Sequence, residues 1–265
     1  MRHVGAIAGR ELRSLFVSPV AYVVLTLFAV IAGFLFFTSV LAFDAQIVEV
    51  QQLQLFDYLS RINLNDHLLG PFYSVIWVVM LFLIPGVTMG LFANEKAQGT
   101  QELLFTSPIT VWELVIGKYL AAAIFVALLI GIVALYTGVL FLYGDPEPWK
   151  TAAGLLGLLL VGLSYAAIGA FASSVTRNQL IAFFLALVLL FILWLLSIVA
   201  DLGAAGGALG SESPASSLMR WLSSADRFEQ LVKGLVDTRD LAYFAFLVAA
   251  FLVLAKTSVE SARWR

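Results

Sequence analysis

The ionisable side chains of this sequence that could act on a partner gather in one polar stretch, residues 94–118, between two long apolar runs. The stretch contains three Glu, two Lys, two Gly and one Pro. Carboxylate and ammonium groups at such a position cap helix ends or form ion pairs with another protein. The stretch is therefore either a plain connecting loop or the place where the protein meets whatever drives it.

Sequence motifs for catalysis are missing. There is no cysteine, which excludes disulfides and thiolate metal sites, and no G-x-x-x-x-G-K-[ST] motif to hold ATP phosphates. The two histidines, His3 and His67, lie outside the apolar runs, so Ser164 in the sequence GLSYA has no base within the bilayer and is interpreted as a packing residue. A net charge of −2 gives no indication of nucleic acid binding. We therefore expect a chain that is not an enzyme and holds neither a cofactor nor a metal.

The composition places the chain in the membrane. Hydrophobic residues make up 62% and charged residues 12%, whereas soluble domains have about 45–50% and about 25%. Five apolar runs between ionisable residues are long enough for the ~20 residues of a spanning helix, and the sixth is extended by snorkelling of Lys256. The sequence thus predicts an all-α integral membrane protein of one domain with six transmembrane helices. Their approximate bounds are 19–43, 70–93, 111–143, 151–175, 178–200 and 239–258.

Lysine and arginine in the short loops predict the orientation of the chain. They are more frequent on the side of the N-terminus, so both termini and the polar stretch are expected in the cytoplasm. The interiors of the spans are expected to contain no Asp, Glu, Lys, Arg or His, unlike those of proton-coupled carriers. Any energy used is therefore expected to come from outside the chain, although a sodium site made of neutral polar groups stays open.

Residues 2–17 predict an amphipathic helix on the cytoplasmic membrane surface, an elbow helix that leads into the first span. Arg10 and Arg13 lie away from its apolar face. Glu11 falls within that face, where it is either a paired or snorkelling carboxylate or a contact to a cytoplasmic partner.

Two further features suggest moving parts. In the second span, Pro85 and Gly86 predict a kink, which serves either helix packing or as a hinge above the polar stretch. The outer loop, residues 201–238, contains a short amphipathic helix before the last span, which either lies on the surface or forms an outer gate with Phe228 and Gly234.

A ridge of small residues in the fourth span predicts close packing against another helix and consists of Gly162, Ala166, Ala170 and Ser174.

Helix-capping signals follow one another along the polar stretch. A coupling segment, residues 94–110, is expected to hold a short helix with one apolar side, begun by a threonine cap and ended by proline. The residues behind this interpretation are Glu95, Gly99, Thr100, Glu102, Leu103, Leu104 and Pro108. Thr110 and Glu113 then form an S/T-x-x-E capping box that opens the third span.

On these residues the sequence resembles the ABC-2 type permeases, the membrane subunits of type V ABC transporters. The family pattern after the second span is E-x-x-x-G-T-x-E-x-L, then Pro, a helix start and G-K. The matching positions here are Glu95, Gly99, Thr100, Glu102, Leu104, Pro108, Glu113, Gly117 and Lys118. The sequence ELRSLFVSPVAYV resembles the elbow of the family, and residues 228–244 resemble the end of the subgroup associated with bacterial gliding motility.

The resemblance implies a half-transporter in a bacterial cytoplasmic membrane. Two permease chains would pair, each would bind a separate cytoplasmic ATPase subunit that holds ATP and Mg²⁺, and a periplasmic subunit could join them. The helix at 100–106 would be the coupling helix, seated in the ATPase. Two alternatives stay open: a stand-alone channel or carrier with ATP-independent flux, and a scaffold that transmits mechanical force in a gliding-type envelope complex.

Overall fold

The computed structural model describes residues 2–54, 62–100, 109–205 and 223–261, and these are helical almost throughout. The predicted coupling helix lies outside the described residues, and with it Glu102, Leu103, Leu104 and Pro108. The helices are α1 (Arg2–Val17), α2 (Pro19–Gln52), α3 (Gly70–Thr88), α4 (Gly90–Gln98), α5 (Val111–Tyr143), α6 (Pro148–Val175), α7 (Gln179–Ala205), α8 (Ser224–Val232) and α9 (Thr238–Ser261), with one π-helical turn at Asn65–Leu69 before α3.

Six of these helical stretches are long and apolar enough to cross a membrane, which confirms the predicted all-α fold with six spans. They are α2, the stretch Asn65–Gln98 that joins α3 and α4, α5, α6, α7 and α9. The helix of the first span continues to Gln52, past the predicted limit at residue 43. Asp44 and Glu49 interrupt the hydrophobicity of this extension but not its helical geometry, because acidic residues have adequate helix propensity.

α6 is the central helix of the bundle and packs against α3, α4, α5, α7, α8 and α9. Its ridge of small residues is buried against other helices of this same chain. The partner helices that the sequence left open therefore belong to the same chain. At Gly169 the fit is closest, since a Cβ atom there would lie 1.9 Å from Thr88 Oγ1 at the end of α3. Small residues thus allow the neighbouring helices to approach α6 closely along its length.

The bundle has two ends with different polar structures. We call the end that carries α1 the elbow face and the end that carries α8 the distal face. α2, α5 and α7 run from the elbow face to the distal face, and the stretch Asn65–Gln98, α6 and α9 run back. The coupling segment therefore joins two helices, α4 and α5, at the elbow face.

Candidate functional site

A buried lysine lies where three helices meet at the elbow face. Lys118 of α5 has only 1% of its side chain exposed. Its Nζ lies 3.1 Å from Glu11 Oε1 of α1 and 2.9 Å from Glu95 Oε1 of α4. It also donates to the backbone oxygen of Leu91 at 2.6 Å, and it lies 5.4 Å from the ring centre of Phe92. The ammonium group thus donates two hydrogen bonds, to Glu11 and to the Leu91 backbone oxygen, and forms an ion pair with Glu95 as well.

Arg10 closes this group from the solvent side. Its Nη2 lies 2.8 Å from Glu11 Oε1 and 3.3 Å from Glu95 Oε1, the same two oxygens that face Lys118. The four side chains carry two positive and two negative charges, so the group is neutral. We call Arg10, Glu11, Glu95 and Lys118 the elbow cluster.

Neutrality of the elbow cluster is what allows Lys118 to be buried at its inner side. Moving a charge out of water costs several kcal/mol, and close opposite charges with good hydrogen bonds offset that cost. Removing one partner from such a group leaves an uncompensated buried charge, which costs about 3–5 kcal/mol. The elbow cluster therefore holds α1, α4 and α5 in one arrangement and penalises their separation.

Gly117, the neighbour of Lys118, allows α1 to come close enough for these ion pairs. A Cβ atom at Gly117 would lie 2.8 Å from Ile7 Cβ and 3.2 Å from the backbone oxygen of Val4. The two residues of the G-K pair therefore have separate roles: Gly117 allows α1 to approach α5, and Lys118 supplies the buried positive charge. Arg13, the third predicted elbow residue, is exposed on α1 and is not part of the elbow cluster.

Both ends of the coupling segment are anchored. On the α4 side, Gly99 ends the helix with φ at 70°, and the Thr100 N–H donates to the Glu95 backbone oxygen at 3.1 Å. Gly99 thus closes α4, and the predicted helix that Thr100 would cap lies outside the described residues and stays a prediction. On the α5 side, the capping box is present: Thr110 Oγ1 accepts the Glu113 N–H at 3.2 Å, and Glu113 Oε2 accepts the Thr110 N–H at 3.2 Å.

A one-residue interruption separates α3 from α4, and a hinge at Pro85 and Gly86 stays a prediction. The helix is continuous through Pro85 and Gly86, and its interruption is at Met89. Ser173 of α6 lies beside this interruption, and its Oγ accepts the N–H groups of Phe92 and Ala93 at 3.0 and 3.1 Å. The same hydroxyl donates to the Met89 backbone oxygen at 2.7 Å. A side chain from another helix thus bonds to the backbone at the interruption and in the first turn of α4.

α4 is also tied to the elbow-face ends of α6 and α9. The Nζ of Lys96 donates to the backbone oxygen of Ser174, and Ser258 Oγ of α9 donates to the same oxygen at 2.8 Å. The last carbonyl groups of a helix lack intrahelical partners and accept such bonds readily. A displacement of α4 would therefore pull directly on two spans besides α5.

The distal face has its own buried ion pair. Arg227 Nη1 of α8 lies 2.7 Å from Asp240 Oδ1 of α9, and its guanidinium carbon lies 4.5 Å from the ring centre of Tyr243. Outside the spans, the Arg239 N–H donates to Asp237 Oδ1 at 3.0 Å, which holds the pKa of the Asp237 carboxyl below its usual value. α8 is thereby fixed to the start of the last span.

Both predicted gate residues have packing roles on this face. Phe228 is buried, and its ring stacks on Trp77 of α3 with the ring centres 5.4 Å apart. Gly234 has φ at 82°, and its backbone oxygen accepts the Trp149 indole N–H at 3.1 Å. A gating role for these two residues stays a prediction.

Two ionisable side chains are buried near the ends of spanning helices, and the expectation that the span interiors contain none stays a prediction. Lys118 and Asp240 are buried within α5 and α9, 1% and 3% exposed. Both lie near the ends of their helices and both face an opposite charge from a neighbouring helix. Sequence spacing did not predict these pairings or the role of Ser173. The one sequence signal was Glu11, a carboxylate on the apolar face of α1.

Six apolar helices with a neutral ion cluster at one end define a multi-pass membrane protein. Over residues 5–259 the sequence matches the family described as ABC-2 family transporter protein, and the chain belongs to this family. It is therefore a membrane-spanning permease subunit of the ABC-2 type. No curated protein matches the sequence.

Proposed function

We propose that this permease subunit couples ATP hydrolysis in a separate cytoplasmic ATPase subunit to movement of its own spans, with the coupling segment as the contact. The observation that carries the proposal is the elbow cluster. Glu95 lies at the start of the coupling segment and Lys118 lies just beyond its end, and their side chains meet at 2.9 Å. The helices on either side of the coupling segment are therefore held to each other and to α1.

Such a clamp suits a part that transmits force. A segment whose ends were free would bend when an ATPase pushed on it. A segment whose flanking helices are fixed together transmits the push to those helices. Here the fixed helices include α1, α4 and α5 through the elbow cluster, and α6 and α9 through Ser174. Family membership implies a cytoplasmic ATPase as partner, and that subunit would hold ATP and Mg²⁺.

A cavity near the interrupted helix favours transport over a purely mechanical scaffold. A half-open cavity of about 310 Å³ lies at the elbow-face half of the bundle, lined by α1 to α5 and the start of α7. Gly86 and Gly90 line it, and a Cβ atom at Gly86 would meet no atom within 4 Å. Small-molecule sites have about 300–1,000 Å³. Pairing with a second permease copy and a role for a periplasmic subunit are further proposals, which rest on the resemblance to ABC-2 type permeases.

Association with an ATPase subunit is tested by purifying the chain through a tag and measuring bound Mg²⁺-ATPase activity. We expect Leu104→Asp or Glu102→Arg to remove most of this activity, because a misplaced charge at a packed interface costs about 2–5 kcal/mol. The matched control is Leu53→Asp, an exposed leucine at the distal face. Equal activity for Leu104→Asp and Leu53→Asp would show that the coupling segment is not the contact.

A further inference from the structure

A second cavity, of about 540 Å³, opens at the distal face between α3, α6 and α8. Its floor is apolar and contains Trp77 and Phe228, whose stacked rings are inclined by 29°. Val232 of α8 adds to this floor. The volume falls within the range of about 300–1,000 Å³ that small-molecule sites occupy. The cavity is separate from the elbow cluster and from the coupling segment.

The rim of the distal cavity carries charges of both signs. Lys150 Nζ lies 3.5 Å from Asp66 Oδ2 and 3.3 Å from Glu147 Oε1, and Lys233 Nζ lies 2.6 Å from Glu229 Oε1. These pairs are partly exposed, and such pairs are weak, so they open at little cost when a ligand arrives. A purely anionic ligand would be repelled by the carboxylates, and a purely cationic ligand would be repelled by the ammonium groups. A molecule with one charge of each sign finds a partner for both.

The walls of the distal cavity are held in place without a ligand. The Trp149 indole N–H donates to the Gly234 backbone oxygen at 3.1 Å, which ties the end of α8 to the start of α6. Gly234 is needed for this contact, because a Cβ atom there would lie 2.7 Å from Lys150 Cγ. A preformed site loses less entropy on binding than one that must be ordered.

The position of the cavity along the spans indicates what kind of zwitterion it meets. Tyr143 and Trp149, at the distal ends of α5 and α6, are largely exposed. Exposed aromatic residues at span ends mark the level of the membrane–water interface. The charged rim starts in the π-helical turn before α3 and in the first turn of α6, and the floor reaches down to Trp77. The occupant thus has its charges at the interface and an apolar part below them.

We propose that the distal cavity binds the headgroup of a zwitterionic phospholipid, with one phosphate and one ammonium group. The phosphate lies between Lys150 and Lys233, the ammonium group lies against Asp66 or Glu229, and the glycerol and first acyl carbons cover the Trp77 side of the floor. The phospholipid would enter this site from the membrane. Its binding does not depend on the proposed coupling to an ATPase.

Native mass spectrometry of the full chain in detergent tests this site with three probes. They are dioleoyl phosphatidylethanolamine, dioleoyl phosphatidylglycerol and water-soluble glycerophosphoethanolamine. We expect one phosphatidylethanolamine to be retained per chain, roughly tenfold more strongly than phosphatidylglycerol, because the carboxylates penalise a purely anionic headgroup. Equal retention of the two lipids would overturn the proposal. Binding of glycerophosphoethanolamine as strong as that of the lipid would assign the site to a soluble zwitterion and overturn the lipid assignment.

Two variants separate binding in the cavity from binding elsewhere. Lys150→Ala with Glu229→Gln removes one charge of each sign, and Ser74→Trp fills the cavity while all rim charges remain. Both are expected to abolish the preference for phosphatidylethanolamine. The matched control is Lys256→Ala with Glu260→Gln, an ion pair of the same kind at the elbow face, which is expected to leave the preference unchanged. An unchanged preference in both cavity variants would place the lipid elsewhere and contradict the proposal.

Discussion

Lys118 illustrates how one buried charge can define the position of three helices. Its ammonium group has acceptors on α1 and α4 and at a backbone carbonyl, and each acceptor is needed because water does not reach the group. Arg10 supplies the fourth charge that makes the set neutral. The energetic effect of the elbow cluster therefore belongs to the set of charges and to none of its members alone.

Replacing Lys118 should therefore destabilise the protein strongly. Lys118→Met keeps the aliphatic length but leaves Glu11 and Glu95 with Arg10 as their only compensating charge within the elbow cluster. We expect a loss of about 3–5 kcal/mol, seen as a lower melting temperature in detergent. Lys256→Met is the control, because its half-exposed partner Glu260 is one turn away on the same helix and such pairs contribute about 0.3–0.5 kcal/mol. Similar shifts for both variants would contradict the account of the elbow cluster.

The approach of α1 to α5 should depend on the absence of a side chain at Gly117. Gly117→Ala would place its Cβ atom 2.8 Å from Ile7 and should push α1 away from α5. Gly131→Ala in the same helix is the control, because nothing lies within 4 Å of its Cβ. We expect faster trypsin cleavage after Arg10 and Arg13 in the first variant alone. Cleavage at the wild-type rate would mean that α1 does not rely on this contact.

At the scale of elements, the junction of α3 and α4 is organised by a residue outside both helices. The N–H groups of Phe92 and Ala93 bond to Ser173 Oγ, so the start of α4 is attached to α6. Pro85 and Gly86 lie one turn earlier inside α3. The junction is therefore attached to α6 both at Met89 and in the first turn of α4.

Ser173→Ala should weaken this junction. It leaves two buried N–H groups and one carbonyl without their partner, at a cost of about 1–3 kcal/mol. Ser164→Ala is the matched control on the same helix, since the hydroxyl of Ser164 bonds to the Leu160 backbone oxygen one turn back. We expect a clear fall in melting temperature and faster hydrogen exchange at Phe92 and Ala93 for Ser173→Ala alone. If Ser164→Ala has the same effect, the junction is not held by Ser173.

Local patterns allowed the elements to be predicted, and distant pairings did not follow from them. The six spans depend on runs of apolar residues, and the capping box of Thr110 and Glu113 depends on a spacing of three, so both can be read from adjacent residues. The ion pair of Glu95 and Lys118 joins two helices, α4 and α5, that the coupling segment separates along the chain. Neighbouring residues in the sequence do not indicate that these two side chains meet. Ser173 is an ordinary small residue in an apolar helix, and nothing in its neighbours indicates that it caps α4.

At the scale of the whole molecule, α6 connects the two faces. At the elbow face it receives α4 through Ser173 and Ser174, and at the distal face Gly157 packs against Leu231 and Phe228 of α8. A buried, closely packed helix transmits a displacement with little bending. We therefore expect movement of the coupling segment to reach the distal face through α6.

The absence of cysteine from the sequence allows this central claim to be measured directly with two introduced spin labels. Labels at Gln98→Cys and Leu53→Cys would report the distance between the end of α4 and the distal end of α2, in the complex purified with its ATPase activity. We predict that Mg²⁺-ATP changes this distance, and that Lys118→Met abolishes the change although the ATPase stays bound. A change of equal size in Lys118→Met, or no change in the chain with Lys118 intact, would contradict the account.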